Sequence, residues 1–226
     1  MNFPSTLLPL ALLLAIPHSA SALDVMTRSN STTGFFDESS GMRTFEFSSS
    51  DFSSTALITD VNVSVTFAKS DNNSFVAEDE PLGTGTPFLD EIQLALTSPS
   101  GTTVTLIDFD AFEAGSAGFR GTITFDQSAA LAVDSDPTQL MGGTFRPVGN
   151  ASGGLERFHG ESAVGEWSLS VADSVGGDGL SFYAASLQVA SVPEPATLWL
   201  IIAMGPLALF TRYRSRRQLA AQAGPR

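Results

Sequence analysis

Apolar and polar residues alternate with a period of two through much of the chain. Ala56 to Phe67 (ALITDVNVSVTF) sets Val61, Val63, Val65 and Phe67 on one face, the spacing of a strand with one side in a core. Ile92, Leu94 and Leu96 repeat it. Phe45-Glu46-Phe47, Thr103 to Ile107, Gly121 to Phe125, Trp167 to Val171 and Phe182 to Val189 continue the series. Turn formers separate these runs: Ser98-Pro99-Ser100-Gly101, Gly142-Gly143, Gly153-Gly154 and Gly176-Gly177-Asp178-Gly179. Between residues 24 and 191 no stretch carries a capped apolar period of 3.6. About eight strands in roughly 150 residues predict an all-β, antiparallel, jelly-roll-like β-sandwich. Trp167 alternates with Leu169 and Val171, which puts its indole in the core rather than on a sugar-stacking surface.

The two ends break this pattern. Leu7 to Ile16 is an apolar run followed by Ala20-Ser21-Ala22, too short to span a bilayer and ending in a small-x-small cleavage pattern. Residues 1–22 are therefore expected to be a helical signal peptide, followed by a polar lead-in (23–43) and the sandwich (44–190). The other end has three parts in order. Val192-Pro193-Glu194-Pro195 is a stiff, non-helical break. Ala196 to Phe210 is apolar and uncharged, and Arg212, Arg214, Arg216 and Arg217 follow. As a helix the apolar run reaches about 22 Å, short of a ~30 Å hydrocarbon core, so the flanking Arg side chains must snorkel. Residues 191–217 thus predict a short transmembrane helix with its Arg cluster in the cytoplasm and the sandwich outside the inner membrane. Residues 218–226 are a tail.

Charge supports the same division. The chain has 11 Lys and Arg against 24 Asp and Glu. Before Val192 stand six bases and 23 acids, a net charge of −17. An acidic domain of this kind offers no face for nucleic acid, which needs basic side chains. The chain has no cysteine, which excludes disulfides, thiolate metal sites and a cysteine nucleophile. The two histidines are His18, in the signal segment, and His159. A lone His in a Phe-His-Gly step is read as a surface or packing residue, and no Gly-x-Ser-x-Gly elbow is present. Asp108 with Asp110 and Asp134 with Asp136 are carboxylate pairs that acid–base chemistry can use. In so acidic a domain they are read first as solvated loop residues, so no catalytic residue is assigned.

Two family resemblances extend this reading. Val192 to Arg217, with Val-Pro-Glu-Pro, an apolar helix and a terminal Arg cluster, resembles the PEP-CTERM sorting signal of Gram-negative bacteria. That resemblance implies an exosortase as the processing partner and a membrane-anchored precursor that passes to the envelope, surface or extracellular matrix. The stretch Leu89 to Thr102 (LDEIQLALTSPSGT) is similar to the "DL.i.L.SPSGT" segment of the P domain (P/Homo B) that accompanies subtilisin-like proprotein convertases. Phe158-His159-Gly160, Gly165 to Asp173 (GEWSLSVAD) and Gly177-Asp178-Gly179-Leu180 are similar to the later pieces of that pattern. Val61 to Val65 fits its opening strand, and the likeness runs from about Thr44 to Val189. The family's opening strand usually ends in His, where this chain has Phe67-Ala68-Lys69.

The cofactor expectation is Ca²⁺, which takes six to eight oxygen ligands from acidic loops. Asp173 and Asp178 bracket a tight Ser-Val-Gly-Gly loop, and the P-domain likeness puts Asp90 on the neighbouring segment. The expected ligands are Asp90, Asp173 and Asp178. The alternative is that the two loop aspartates bond backbone N–H groups of their turn. The functional expectation is an exported, non-enzymatic module sorted through its tail, with an extracellular polysaccharide or a protein as partner. The alternative is an accessory, stabilising domain for a separate subtilisin-like serine protease.

Overall fold

A computed structural model describes residues 23–115, 117–148 and 153–193. The signal segment, the apolar run 196–210 and the sorting residues Glu194, Pro195, Arg212, Arg214, Arg216 and Arg217 lie outside the described residues.

Among the described residues ten strands form in chain order: β1 (Asp24–Asn30), β2 (Gly34–Phe36), β3 (Ser39–Phe47), β4 (Ala56–Lys69) and β5 (Ile92–Thr97), then β6 (Thr103–Ile107), β7 (Phe119–Asp126), β8 (Gly143–Phe145), β9 (Gly165–Asp173) and β10 (Leu180–Pro193). One sheet runs β1-β10-β4-β7-β8, with β2 also paired to β10, and the other runs β3-β9-β5-β6. The inward residues of both sheets interdigitate as one core: Val61, Val63, Val65 and Phe67 of β4 meet Leu94, Leu96, Trp167, Leu169 and Val171 of the facing sheet. The all-β, two-sheet expectation holds.

Three features differ from the sequence reading. Residues 24–43, expected as a lead-in, form β1, β2 and the first half of β3. β1 is an edge strand paired only to β10, and its inner residues are half-buried throughout. An edge position needs little apolar content, so DVMTRSN lacks the hydrophobic signal of a central strand. β7 and β8 pair in parallel, Ile123 with Gly143 and Phe125 with Phe145, so the sheets are not wholly antiparallel. β10 continues to Pro193, whose Cα pairs with Ala56. The first proline of the sorting motif therefore closes a strand.

The acidic loop after β4 is tied down midway. Val76 donates its N–H to Ser181 Oγ at 2.9 Å and accepts Tyr183 Oη–H at 2.7 Å. Phe75 packs edge-on against Tyr183, with ring centroids 5.8 Å apart.

Candidate functional site

The two ends of the sandwich are closed by different chemistry. At the end where β9 begins, the interior is aromatic and the charged groups sit at the rim of the turns. Trp167 is fully buried, packs edge-on against Phe158 at 5.0 Å between centroids and donates its indole N–H to the Ala163 carbonyl at 3.3 Å. The Ser-Pro-Ser-Gly-Thr turn between β5 and β6 is held by Glu161. One carboxylate oxygen accepts Ser98 Oγ–H at 2.5 Å and the other accepts Thr102 Oγ1–H. Gly165 has φ +129°, and a Cβ there would meet Pro99 at 2.8 Å. The glycine before Trp167 and the proline of the turn are thus one packing unit, which is why both pieces of the sequence pattern occur together. His159 is exposed at the end of the short 3-10 turn Gly154–Phe158. The core expectation for Trp167 and the surface expectation for His159 both hold.

At the other end lies a buried ion cluster. β4 stops alternating in its last three residues, and Phe67, Ala68 and Lys69 are all fully buried. Lys69 pairs with Leu180 of β10 and Phe119 of β7, so its side chain leaves from the middle of one sheet. Asp173 ends β9 in the middle of the other sheet, paired to Ser39 and Ile92. Glu91 closes the 3-10 turn Leu89–Glu91 that leads into β5. Asp178 lies in the loop just before β10.

These elements aim their side chains at one point. Lys69 Nζ lies 2.7 Å from Asp173 Oδ2, 3.0 Å from Glu91 Oε2 and 3.2 Å from Asp178 Oδ2. It also donates to the Asp178 carbonyl. The Lys69 and Asp173 side chains are 0% exposed, Asp178 6% and Glu91 10%. Asp178 Oδ2 in addition accepts the Phe88 N–H. Asp173 Oδ1 is buried and makes no hydrogen bond of normal geometry.

One ammonium faces three carboxylates, and not all three can stay ionised away from water. Burial pushes Asp173 up to about 7, against the lowering effect of Lys69. Burial also raises Glu91, again opposed by Lys69. For Lys69 burial pulls downward, but its carboxylate partners, Asp173 first, more than reverse this and hold it above the ordinary lysine value. Asp173 is therefore the carboxyl of the cluster most ready to take up a proton close to neutral pH.

The expected calcium ligands are only partly brought together. Asp173 and Asp178 converge, but on Lys69 Nζ. Asp90 is the neighbour of Glu91, yet its side chain is not among the groups around Lys69; its Oδ1 is buried without a partner and its carbonyl accepts the Asp110 N–H at 2.8 Å. Among the described residues no group of three His, Cys, Asp or Glu side chains is arranged to hold a metal ion. The donor set as it stands fits an ammonium at its centre, and a divalent cation there has to displace Lys69. Lys69 and Glu91 are the members that sequence reasoning missed. The one signal for Lys69 was its place at the end of the opening strand, where the P-domain pattern usually has His.

The carboxylate pairs are loop residues. Asp108 accepts the Gln93 amide and the Phe109 N–H at 3.0 Å each. Asp136 accepts the Thr138 N–H and Oγ1–H and the Gln139 amide, which hold its carboxyl below the usual range.

No curated protein matches the chain. Among solved structures, the crystal structure of the Aeromonas sobria serine protease and chaperone complex is similar at 14% identity and a TM-score of 0.40. The match covers 76% of this chain and 27% of that one, so the chain spans about a quarter of its length. Residues 82–189 match the family described as the proprotein convertase P-domain, and the matched stretch carries Glu91, Asp173, Asp178 and Trp167, with Lys69 on the strand before it.

Proposed function

We propose that the chain is an exported, non-enzymatic P-domain module, held at the cell envelope through its PEP-CTERM tail and presented to an extracellular polysaccharide or protein partner. The observation that carries this reading is the P-domain match over residues 82–189, on a sandwich whose strongest charge cluster is buried between its sheets. A cluster buried between the sheets belongs to the scaffold, which leaves the loops and the acidic exterior for recognition. The tail is the address. Val192 and Pro193 are the last residues of β10 and Glu194-Pro195 follow in sequence, so the cleavage motif starts at the end of the last strand. Replacing Pro193-Glu194-Pro195 by Ala is expected to leave export intact and to abolish cleavage in a host with a working exosortase. Intact-mass analysis reads this directly. A mature wild-type species that still carries Arg212 to Arg217 makes the segment a plain membrane anchor and overturns the sorting reading.

The family's own description favours a second reading, an accessory domain for a separate subtilisin-like serine protease. Co-expression separates the two. An accessory domain raises the yield of active protease and co-purifies with it, whereas an independently displayed module does neither.

A further inference from the structure

The geometry of the buried cluster goes beyond a salt bridge. A primary amine and a carboxyl lie in contact, 2.7 Å apart and both 0% exposed, with a second carboxyl of Glu91 at 3.0 Å from the same nitrogen. The amine comes from one sheet and its nearest carboxyl from the other, 104 residues apart in sequence. Asp173 Oδ1 is buried, and besides Lys69 only the Val175 N–H of the following turn acts on this carboxylate as a hydrogen-bond donor.

We propose that Lys69 and Asp173 join in an intramolecular isopeptide bond, Nζ to Cγ, with Glu91 carrying the proton, and that this bond locks the two sheets together. The reaction balances without any co-reactant. A proton passes from the Lys69 ammonium to the Asp173 carboxylate within the pair, giving a neutral amine and a neutral acid. This transfer changes neither the net charge nor the proton count of the cluster; with Lys69 held above its ordinary value the neutral pair is the minor state through which the reaction passes, and burial, by penalising charge, lowers the cost of reaching it. The amine lone pair attacks Cγ. Glu91 accepts a proton from the attacking nitrogen and returns it to the departing oxygen, which leaves as water. One N–Cγ bond forms, one Cγ–O bond breaks, and Asp173 keeps one oxygen as the amide carbonyl.

Three features of the site promote this step. The reactants are held in contact by two sheets, which removes the entropy of bringing them together. Water is excluded, which disfavours the reverse hydrolysis. Asp173 is pushed up to about 7 by burial, so the acid form that loses water is accessible near neutral pH. Asp178 is the positioning residue. Its carbonyl accepts from Lys69 Nζ, and its carboxylate is fixed by the Phe88 N–H. The chain has no cysteine, and the amide supplies the covalent cross-link that a disulfide supplies elsewhere.

The test is peptide mapping of the full, exported chain after denaturation. Trypsin cuts after Arg43, Lys69, Arg120 and Arg157 in the linear chain, but not after a lysine whose Nζ is acylated. The expected product is a branched species that joins residues 44–120 to the peptide beginning at Phe158, lighter than its parts by one water, about 18 Da. Fragmentation must place the branch on Asp173. Lys69→Arg is expected to give only linear peptides. Glu91→Gln keeps a carboxamide of the same shape, and is expected to fold cooperatively yet remain linear. Separate 44–69 and 70–120 peptides from the wild-type chain overturn the bond and leave an ion cluster only. A branch located on Asp178 overturns the Asp173 assignment, and a Glu91→Gln chain as fully joined as the wild type overturns the role of Glu91.

Discussion

The two ends of this sandwich solve one problem in opposite ways. Each must close the gap between a strand of one sheet and a strand of the other without leaving polar groups unpaired. Around Trp167 the gap is filled with aromatic volume, and the polar groups are neutral or at the rim: an indole N–H to a carbonyl, and Glu161 across the Ser98 and Thr102 hydroxyls. Around Lys69 it is filled with charge taken out of water. The first solution is additive and tolerant. The second is all-or-none, because removing one member of a buried ion cluster strands the others. A sequence that needed only stability would repeat the first solution at both ends. Four converging charges in the second location are the reactants that the proposed cross-link needs.

The largest effect that separates the ends is therefore expected at Lys69. Lys69→Met leaves three carboxylates without a cation, a loss on the order of 5 kcal/mol, the upper end for breaking a buried pair. With the cross-link in place the loss grows, because a loop of about 100 residues is no longer constrained, which is worth about 4–5 kcal/mol in chain-entropy terms. Denaturant unfolding of the two chains measures it. Trp167→Ala follows at about 3–5 kcal/mol, the usual range for deleting a fully buried large aromatic. Equal melting of Trp167→Ala and wild type removes the aromatic closure. Near-equal melting of Lys69→Met removes the all-or-none description of the charged end.

The same contrast explains what the sequence made legible. The aromatic end shows itself through local patterns: a period of two places Trp167 inward, and the Ser-Pro-Ser-Gly-Thr turn is written in turn-forming residues. The charged end depends on convergence from four elements far apart in sequence. Asp173 and Asp178 were recognised as converging because they flank one short loop. The sequence does not distinguish Glu91 from Asp90, because which of two adjacent acids points inward depends on a three-residue 3-10 turn with no periodicity. Lys69 was invisible as a partner. A lysine at a strand end is ordinarily exposed, and only the facing sheet shows that this one is not. The edge strand β1 does not stand out for the converse reason, since it needs too little apolar content, and β2 is only three residues long, too short to show a period.

A pH experiment sharpens the comparison at intermediate size. In Glu91→Gln, where Lys69 and Asp173 stay separate, burial still raises Asp173 far above its ordinary 3.8, towards the value of about 7 that it has in the intact cluster. A carboxyl with a raised folded pKa binds its proton more tightly in the folded state. Its contribution to stability is full below about pH 4 and is lost as pH rises towards 7. Glu91→Gln is therefore expected to melt at a higher temperature at pH 5 than at pH 7.5. Asp173→Asn, which cannot titrate there, has no such slope from this position. In the joined wild-type chain neither Lys69 nor Asp173 titrates, so its slope over the same window is shallower. Because Glu91, itself raised by burial, also gives the wild type a slope, the deciding comparison is with Asp173→Asn, which keeps Glu91: a wild-type slope that Asp173→Asn reduces means that the two side chains remain free acid and free amine.

A smaller effect is expected at the neutral end. Glu161→Ala removes the acceptor shared by Ser98 and Thr102, and both hydroxyls can turn to solvent at the rim. The expected loss is about 1–2 kcal/mol, the scale of a partly exposed hydrogen-bond pair. A loss as large as that at Lys69 means that the Ser-Pro-Ser-Gly-Thr turn is itself a keystone.

The smallest effect concerns calcium. A cation between Asp173 and Asp178 has to occupy the place that Lys69 Nζ holds at 2.7 and 3.2 Å from them. It must expel a buried ammonium into an apolar interior or break an amide, and neither is offset by two carboxylates and a partly solvated loop. Wild-type protein is therefore expected to melt within a degree or so in chelator and in millimolar Ca²⁺, since a ligand that does not bind the folded state cannot shift its melting. Lys69→Met supplies the contrast. With the amine gone, Glu91, Asp173 and Asp178 present carboxylates to an uncompensated hollow, and Ca²⁺ is expected to restore part of the lost melting temperature. Restoration in Lys69→Met without any shift in wild type shows that the lysine stands in the position of a metal. A wild-type shift of several degrees, abolished by Asp178→Asn, shows instead that calcium competes successfully for the carboxylates and that the ammonium can be displaced.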